Sequence, residues 1–148
     1  VAASFLVYLI PENNDMKLVV SDFEKNLDDI DERTSMLSTG IEKSFEDLIN
    51  HKLSPEEYFV TAGVTQSQVN SLIIELTLSG APQEWTASYK TYADALKKLN
   101  EQITETIIVA NLMKDDVNSD SVNEIIFKIH ELRAELLSLI EKSDNLRP

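Results

Sequence analysis

Residues 82 to 114 read PQEWTASYKTYADALKKLNEQITETIIVANLMK, and they set the pattern that the rest of the chain follows. Large apolar side chains recur in this stretch at steps of three and four residues, which places them on one face of an α-helix. The preceding Ser79-Gly80-Ala81-Pro82 is typical of a turn, since Gly suits the end of one helix and Pro the start of the next. The apolar positions of this helix are Trp85, Tyr89, Tyr92, Leu96, Leu99, Ile103, Ile107 and Ala110.

Three further stretches show the same helical spacing. The first runs from about Asp15 to Lys52 as one continuous helix. The second begins at Ser54, where Ser-Pro-Glu-Glu has the residues of a capping box with proline in the first turn. We expect a kink or a short break in it near Gly63. The last begins near Ser121, which has a glutamate three residues later and so forms another candidate capping box.

Four apolar stripes joined by connections of about two to six residues predict an all-α fold. The expected architecture is an elongated antiparallel four-helix bundle in up-down-up-down order, with an apolar N-terminal segment. We place that segment at residues 1 to 14 and the helical bundle domain at residues 15 to 148. The predicted helices lie near residues 16 to 52, 55 to 78, 82 to 114 and 121 to 144, and no β-sheet is expected.

Charge and composition narrow the possible functions. The chain has 13 basic and 26 acidic residues, for a net charge of −13, so it repels phosphate backbones and no nucleic-acid binding is expected. Because there is no cysteine, thiolate metal sites and cysteine nucleophiles are excluded. The sequence also has no nucleophile motif, phosphate-binding glycine loop or dinucleotide fingerprint. We therefore expect a protein that is not an enzyme and that needs no cofactor.

One short pattern is a candidate metal site. Asp116-x-Asn118-x-Asp120 has the alternating oxygen ligands that begin a calcium loop, but position twelve is Phe127 where such loops have a glutamate. Neither histidine has a glutamate three residues before it, so the Glu-x-x-His pairs of metal-binding bundles are missing. Polar residues before a helix are mostly turn formers and caps, and we expect weak or no calcium binding.

Aromatic residues form a candidate ligand pocket. Trp85, Tyr89 and Tyr92 share one face at the start of the third helix, and we expect Tyr58 and Phe59 to lie at the same end of the bundle. Helical bundles bind small molecules between their helices, and Tyr or Trp supplies a polar group inside an apolar site. The alternative interpretation is an aromatic layer of the core.

The first ten residues are the least typical of a soluble bundle, because Val1 to Ile10 carry no charge. A helix of that length covers about 15 Å, half of the hydrocarbon thickness, and cannot span a membrane alone. Pro11 should separate the segment from the first helix. We expect this segment to be buried against lipid or another subunit. The side chains expected to make that contact are Phe5, Leu6, Val7, Tyr8, Leu9 and Ile10.

Three hypotheses for function remain. The first is a non-enzymatic, extracytoplasmic or membrane-tethered module for sensing or protein interaction; the predicted architecture resembles the helical-bundle input domains of bacterial and archaeal receptors. The second is a structural subunit of an oligomer or filament, packed through its apolar N-terminus. The third is a small-molecule carrier that uses the aromatic end. A cytoplasmic location stays open, because a cysteine-free chain is compatible with several compartments.

Overall fold

The computed structural model describes residues 7–12, 15–116 and 119–148, which form a β-hairpin followed by a four-helix bundle. The all-α bundle predicted from the apolar stripes is therefore confirmed. In chain order the elements are β1 (Val7–Glu12), β2 (Asp15–Val20), α1 (Phe23–Ile49), α2 (Pro55–Leu78), α3 (Gln83–Lys114) and α4 (Ser119–Asn145).

Side-chain contacts between the helices give their relative directions. Arg33 of α1 binds Glu75 near the end of α2, whereas Phe45 lies against Tyr58 near the start of α2. When successive contacts move toward the end of one helix and toward the start of the other, the two helices are antiparallel. The same holds for α2 with α3 and for α3 with α4, in the pairs Tyr58–Thr106, Asn70–Asn100, Ser88–Ser143 and Glu105–Lys128.

The start of α2 has the predicted capping box. The Ser54 hydroxyl accepts a hydrogen bond from the Glu57 backbone N–H, and the Glu57 carboxylate accepts one from the Ser54 N–H, each at 3.2 Å. The break expected near Gly63 is wrong, because α2 is one continuous helix. Two residues after Gly63, the Thr65 hydroxyl donates to the Thr61 carbonyl at 2.9 Å within this helix.

The N-terminal part of the chain differs from the prediction. β1 and β2 pair antiparallel, from Val7 opposite Val20 to Glu12 opposite Asp15, so the expectation of no β-sheet is wrong. The β-branched residues near the end of β2 favour extended backbone over helix. Pro11 is compatible with this pairing, since neither strand of a two-stranded sheet is central.

Both ends of α1 also differ from the prediction. Asp22 caps α1 by accepting a hydrogen bond from the Lys25 backbone N–H at 3.0 Å, so this helix begins after β2 and not near Asp15. α1 stops at Ile49, and His51 has a φ of 59°, which no longer fits a right-handed helix. α4 begins at Ser119, which places the predicted cap Ser121 inside its first turn.

The hydrophobic core is centred on α3, which contributes the largest share of buried residues. Leu96, Leu99 and Ile103 of α3 are completely buried. They belong to one apolar cluster with residues of the other three helices, among them Leu27, Ile30, Val69 and Leu136.

We predict that Leu96→Ala lowers the free energy of unfolding by about 2 to 5 kcal/mol, because it removes a completely buried side chain and leaves a cavity. Lys97→Ala is the matched control, since Lys97 is the exposed neighbour on the same helix and its loss should change stability by about 0.5 kcal/mol or less. Urea unfolding of both variants tests this, and equal losses would contradict the assignment of the buried face.

Candidate functional site

The four helices are not packed equally around the bundle. Within the part of the chain that the structure describes, the backbones of α1 and α2, α2 and α3, and α3 and α4 approach closely, whereas those of α1 and α4 do not. The space between them is open to solvent. We call it the α1–α4 groove; it is lined by residues between 31 and 50, on α1 and just after it, and between 126 and 147, on α4 and just after it.

The side chains on the α1 side of the groove explain why it is open. Ser35, Ser38 and Thr39 line its middle part, and such short hydroxyl side chains fill less space than the leucines of the core. The buried apolar residues of α4 are Ile129, Leu132 and Leu136, and α4 packs closely against α3. α4 therefore has its packing partner in α3.

Two ion pairs bridge the groove. Glu42 of α1 binds Arg133 of α4 near the middle, and Asp28 binds Arg147 at one end, with 2.6 Å between the Arg147 Nη1 and Asp28 Oδ1 atoms. Each pair is partly exposed, so each contributes only about 0 to 1 kcal/mol and is weakened by salt. The two ion pairs that join α1 and α4 across the groove are therefore weak, and salt weakens them further.

A pocket of about 360 Å³ lies in the groove at the end farther from Asp28. This volume is within the range of about 300 to 1,000 Å³ that is usual for small-molecule sites. Its walls come from α1 and α4, and its remaining lining comes from Gln102, Ile103 and Thr106 of α3. The apolar wall residues are Ile41, Phe45, Ile49, Ile126 and Ile129, and the polar ones are Glu42, Glu46, Asn50, His130 and Arg133.

Gln102 is the most unusual side chain in this pocket. It is only 4% exposed, and its amide forms no hydrogen bond with any residue that the structure describes; its Oε1 atom is completely buried. A buried polar atom without a partner costs about 1 to 3 kcal/mol, and native proteins leave few such atoms. Sequence reasoning missed this residue, although its position three residues after Leu99 places a glutamine on the buried face of α3.

The predicted aromatic pocket is not assembled, because its residues lie at two ends of the bundle. The Tyr58 hydroxyl donates to Thr106 Oγ1 at 2.5 Å, whereas the Tyr89 hydroxyl donates to the Phe23 carbonyl at 2.7 Å and accepts from Asn26 Nδ2 at 2.9 Å. Thr106 lies about 26 Å along α3 from Tyr89, at about 1.5 Å of rise per residue. The expectation that Tyr58 lies near the other aromatic residues is therefore wrong.

The aromatic residues at the start of α3 are part of the bundle interior. Trp85 is half-buried, and its ring meets that of Tyr89 edge to face with centroids 6.2 Å apart. Tyr92 is buried and lines the groove at the end near Arg147. Its hydroxyl donates to Asp31 Oδ1 at 2.6 Å, and burial together with this carboxylate raises the pKa of Tyr92 well above its usual value.

The other predicted sites are described only in part. Asp116 is exposed with a φ of 57°, Asp120 is exposed in the first turn of α4, and Asn118 lies outside the described residues. In residues 7–12, 15–116 and 119–148, no three His, Asp or Glu side chains are grouped so that they could hold a metal ion. Of the N-terminal contact residues, Phe5 and Leu6 lie outside the described residues, and Val7, Tyr8, Leu9 and Ile10 belong to β1.

None of the helices in the described ranges is long and apolar enough to cross a membrane. Comparison of the chain with protein-family models, with curated proteins and with solved structures gives no match.

We predict that the protein loses stability as the pH rises from about 10 to about 12. Burial raises the pKa of Tyr58 and of Tyr89 to about 12, above the value of about 10 of an unfolded tyrosine. Folding therefore favours the protonated hydroxyls, and this contribution is complete below about pH 10 and is lost as the pH rises through the folded pKa. Urea unfolding of the wild type and of Tyr58→Phe across this range measures the effect. A variant whose stability falls as steeply as that of the wild type would contradict the prediction.

Proposed function

We propose that this chain is a non-enzymatic helical-bundle module for sensing or protein interaction, and that occupation of the α1–α4 groove changes the spacing of α1 and α4. The observation that carries the proposal is the open groove bridged by two partly exposed ion pairs. A ligand shifts a conformational equilibrium only by its difference in affinity for the two states. Because α1 and α4 are held together weakly, little packing has to be broken when their spacing changes. A small difference in the affinity of the ligand for the two states is therefore enough to shift the equilibrium.

The direction of the helices supports a sensing role. Asp28 lies near the start of α1 and Arg147 just after the end of α4, and their ion pair places both helix ends at the same end of the bundle. Phe45 of the pocket lies about 33 Å along α1 from Phe23, the first residue of the helix, at about 1.5 Å of rise per residue. In this proposal, α1 carries the signal from the pocket to the end where the hairpin joins it.

This arrangement fits an extracytoplasmic or membrane-tethered module in which residues 1–10 contact lipid or a second subunit. The hairpin leads directly into the start of α1, so a tether in the N-terminal segment would leave the pocket at the far end. The alternative is a cytoplasmic location, where the same groove would bind a protein partner.

A second candidate function is a structural subunit that self-associates, and the outer face of α2 favours it. From Tyr58 to Ile74 the sequence has no charged residue, in a chain with a net charge of −13. Large apolar side chains are exposed along one line of this helix, and Val60 is 70% exposed. We call this line the α2 apolar face: Val60, Val64, Ile74 and Leu78. Such a patch is typical of an interaction surface.

The sensing proposal predicts that the distance across the groove is broadly distributed. Because the chain has no cysteine, spin labels can be placed at Lys43→Cys and Glu131→Cys across the groove, with Ser67→Cys and Glu101→Cys across the closed α2–α3 contact as the control pair. We expect a broader distance distribution for the groove pair, which widens further at about 1 M salt because the two ion pairs are screened. Equal widths for the two pairs and no response to salt would refute mobility of the groove.

The alternative function predicts self-association that depends on α2. We expect Val64→Asp to shift the wild-type assembly toward monomers, because a charge on the α2 apolar face cannot be buried without a partner. Phe127→Asp is the matched control, since Phe127 is an exposed apolar residue on α4. Sedimentation velocity over a range of concentrations measures this. A wild type that stays monomeric, or two variants with the same behaviour, would exclude the α2 apolar face as the contact.

A further inference from the structure

We propose that the pocket in the α1–α4 groove binds a small neutral molecule with an apolar body and one hydrogen-bonding end group, and that the Gln102 amide recognises this end group. This inference rests on the proposed sensing function, because it names the class of ligand that would occupy the groove. Three properties of the pocket support it.

The first property is the apolar wall. Isoleucine side chains from α1, α3 and α4 surround the space, together with the ring of Phe45. Removing apolar surface from water is favourable in proportion to the area buried, so an aliphatic body gains affinity from this wall without any polar contact. The volume of about 360 Å³ fits a small molecule.

The second property is the unused amide of Gln102 on the α3 side of the pocket. Its neighbour Thr106 is already satisfied, because the Thr106 hydroxyl accepts from Tyr58 at 2.5 Å and donates to the Ile103 carbonyl at 2.6 Å. Gln102 has no such partner within the described residues. Because the Oε1 atom is completely buried, the Nε2 atom is the part of the amide that a ligand can reach, and this donor is matched by an end group whose oxygen accepts a hydrogen bond, such as a hydroxyl or a carbonyl.

The third property is the charge around the pocket, which favours a neutral end group. Arg133 is already paired with Glu42, and Glu46 adds a carboxylate to the lining, so an anion meets repulsion in a chain with a net charge of −13. A cation would reach Gln102 only by losing its hydration beside the isoleucine side chains, which costs much more than burying a neutral group that forms one hydrogen bond.

The test uses three probes with the same eight-carbon body: 1-octanol, octanoate and octylammonium. Isothermal titration calorimetry measures affinity, and methyl NMR with labelled isoleucine shows where each probe binds. We expect 1-octanol to bind most tightly and to shift the methyl signals of Ile41, Ile103 and Ile129, while Ile30 and Ile73, which do not line the pocket, stay unchanged. No binding of 1-octanol up to its solubility, or tighter binding of either charged probe, would overturn the proposal.

Two glutamine variants test the role of the amide. Gln102→Leu keeps a similar size but removes the amide, and we expect it to weaken 1-octanol binding by about three- to tenfold and to raise the melting temperature of the free protein, since a buried group without a partner is removed. The matched control is Gln66→Leu, because Gln66 donates to Thr104 on the α2–α3 side and does not line the pocket. Unchanged affinity in Gln102→Leu, or a lower melting temperature, would show that the amide serves the fold and would overturn the assignment.

The outcomes separate this inference from the sensing proposal. If the spin-label distances show a mobile groove but 1-octanol does not bind, only the ligand class fails. If 1-octanol binds through Gln102 and the distance across the groove does not change on binding, the ligand site is supported and the sensing function fails.

Discussion

The need to satisfy buried tyrosine hydroxyls determines how α1 is placed, and the rest of the structure depends on it. Tyr89 and Tyr92 of α3 are buried, and both find their hydrogen-bond partners on α1, in Asn26, Asp31 and the carbonyl of Phe23. A buried hydroxyl without a partner would cost about 1 to 3 kcal/mol. These contacts hold α1 against α3, across the diagonal of the bundle, and fix its position along the helix axis.

The open groove follows from that placement. α1 contacts α2 and α3 closely, and α4 packs on α3, so the two outer helices have their partners elsewhere. The remaining space is lined by serine and threonine in its middle and by isoleucine at one end. Leu96 and Leu99 of the core do not line the groove, whereas Ile103 and Leu136 belong to both the core and the groove.

The sequence predicts the bounds of the helices whose starts are marked by capping or turn residues. It misses the bounds of segments whose residues fit both a helix and a strand. α2 and α3 agree with the prediction to within one residue, since capping and turn residues mark their starts. The start of α1 was misjudged because Val20 fits the apolar stripe of the helix as well as the alternation of a strand. Asn13-Asn14 between two apolar runs and Asp22 before Phe23 were the signals for a hairpin and a cap.

The candidate site was predicted less well, for two physical reasons. Consecutive antiparallel helices start at opposite ends of a bundle, so Tyr58 at the start of α2 cannot lie beside Trp85 at the start of α3; the predicted topology already implied this. Gln102 was missed because spacing identifies apolar faces and says little about a polar residue on one. Whether its amide has a partner depends on the surrounding side chains, which are known only from the structure.

The net negative charge of the chain affects both the α2 apolar face and the α1–α4 groove. The net charge of −13 opposes contact between copies, except where no charge is presented, and α2 has such a stretch between Tyr58 and Ile74. α2 packs on α1 and α3, so its outer face and the α1–α4 groove lie on different sides of the bundle. Two copies joined through α2 would therefore leave both grooves open. Salt should act oppositely on the two surfaces, because screening reduces repulsion between copies while it weakens the ion pairs of Arg133 and Arg147.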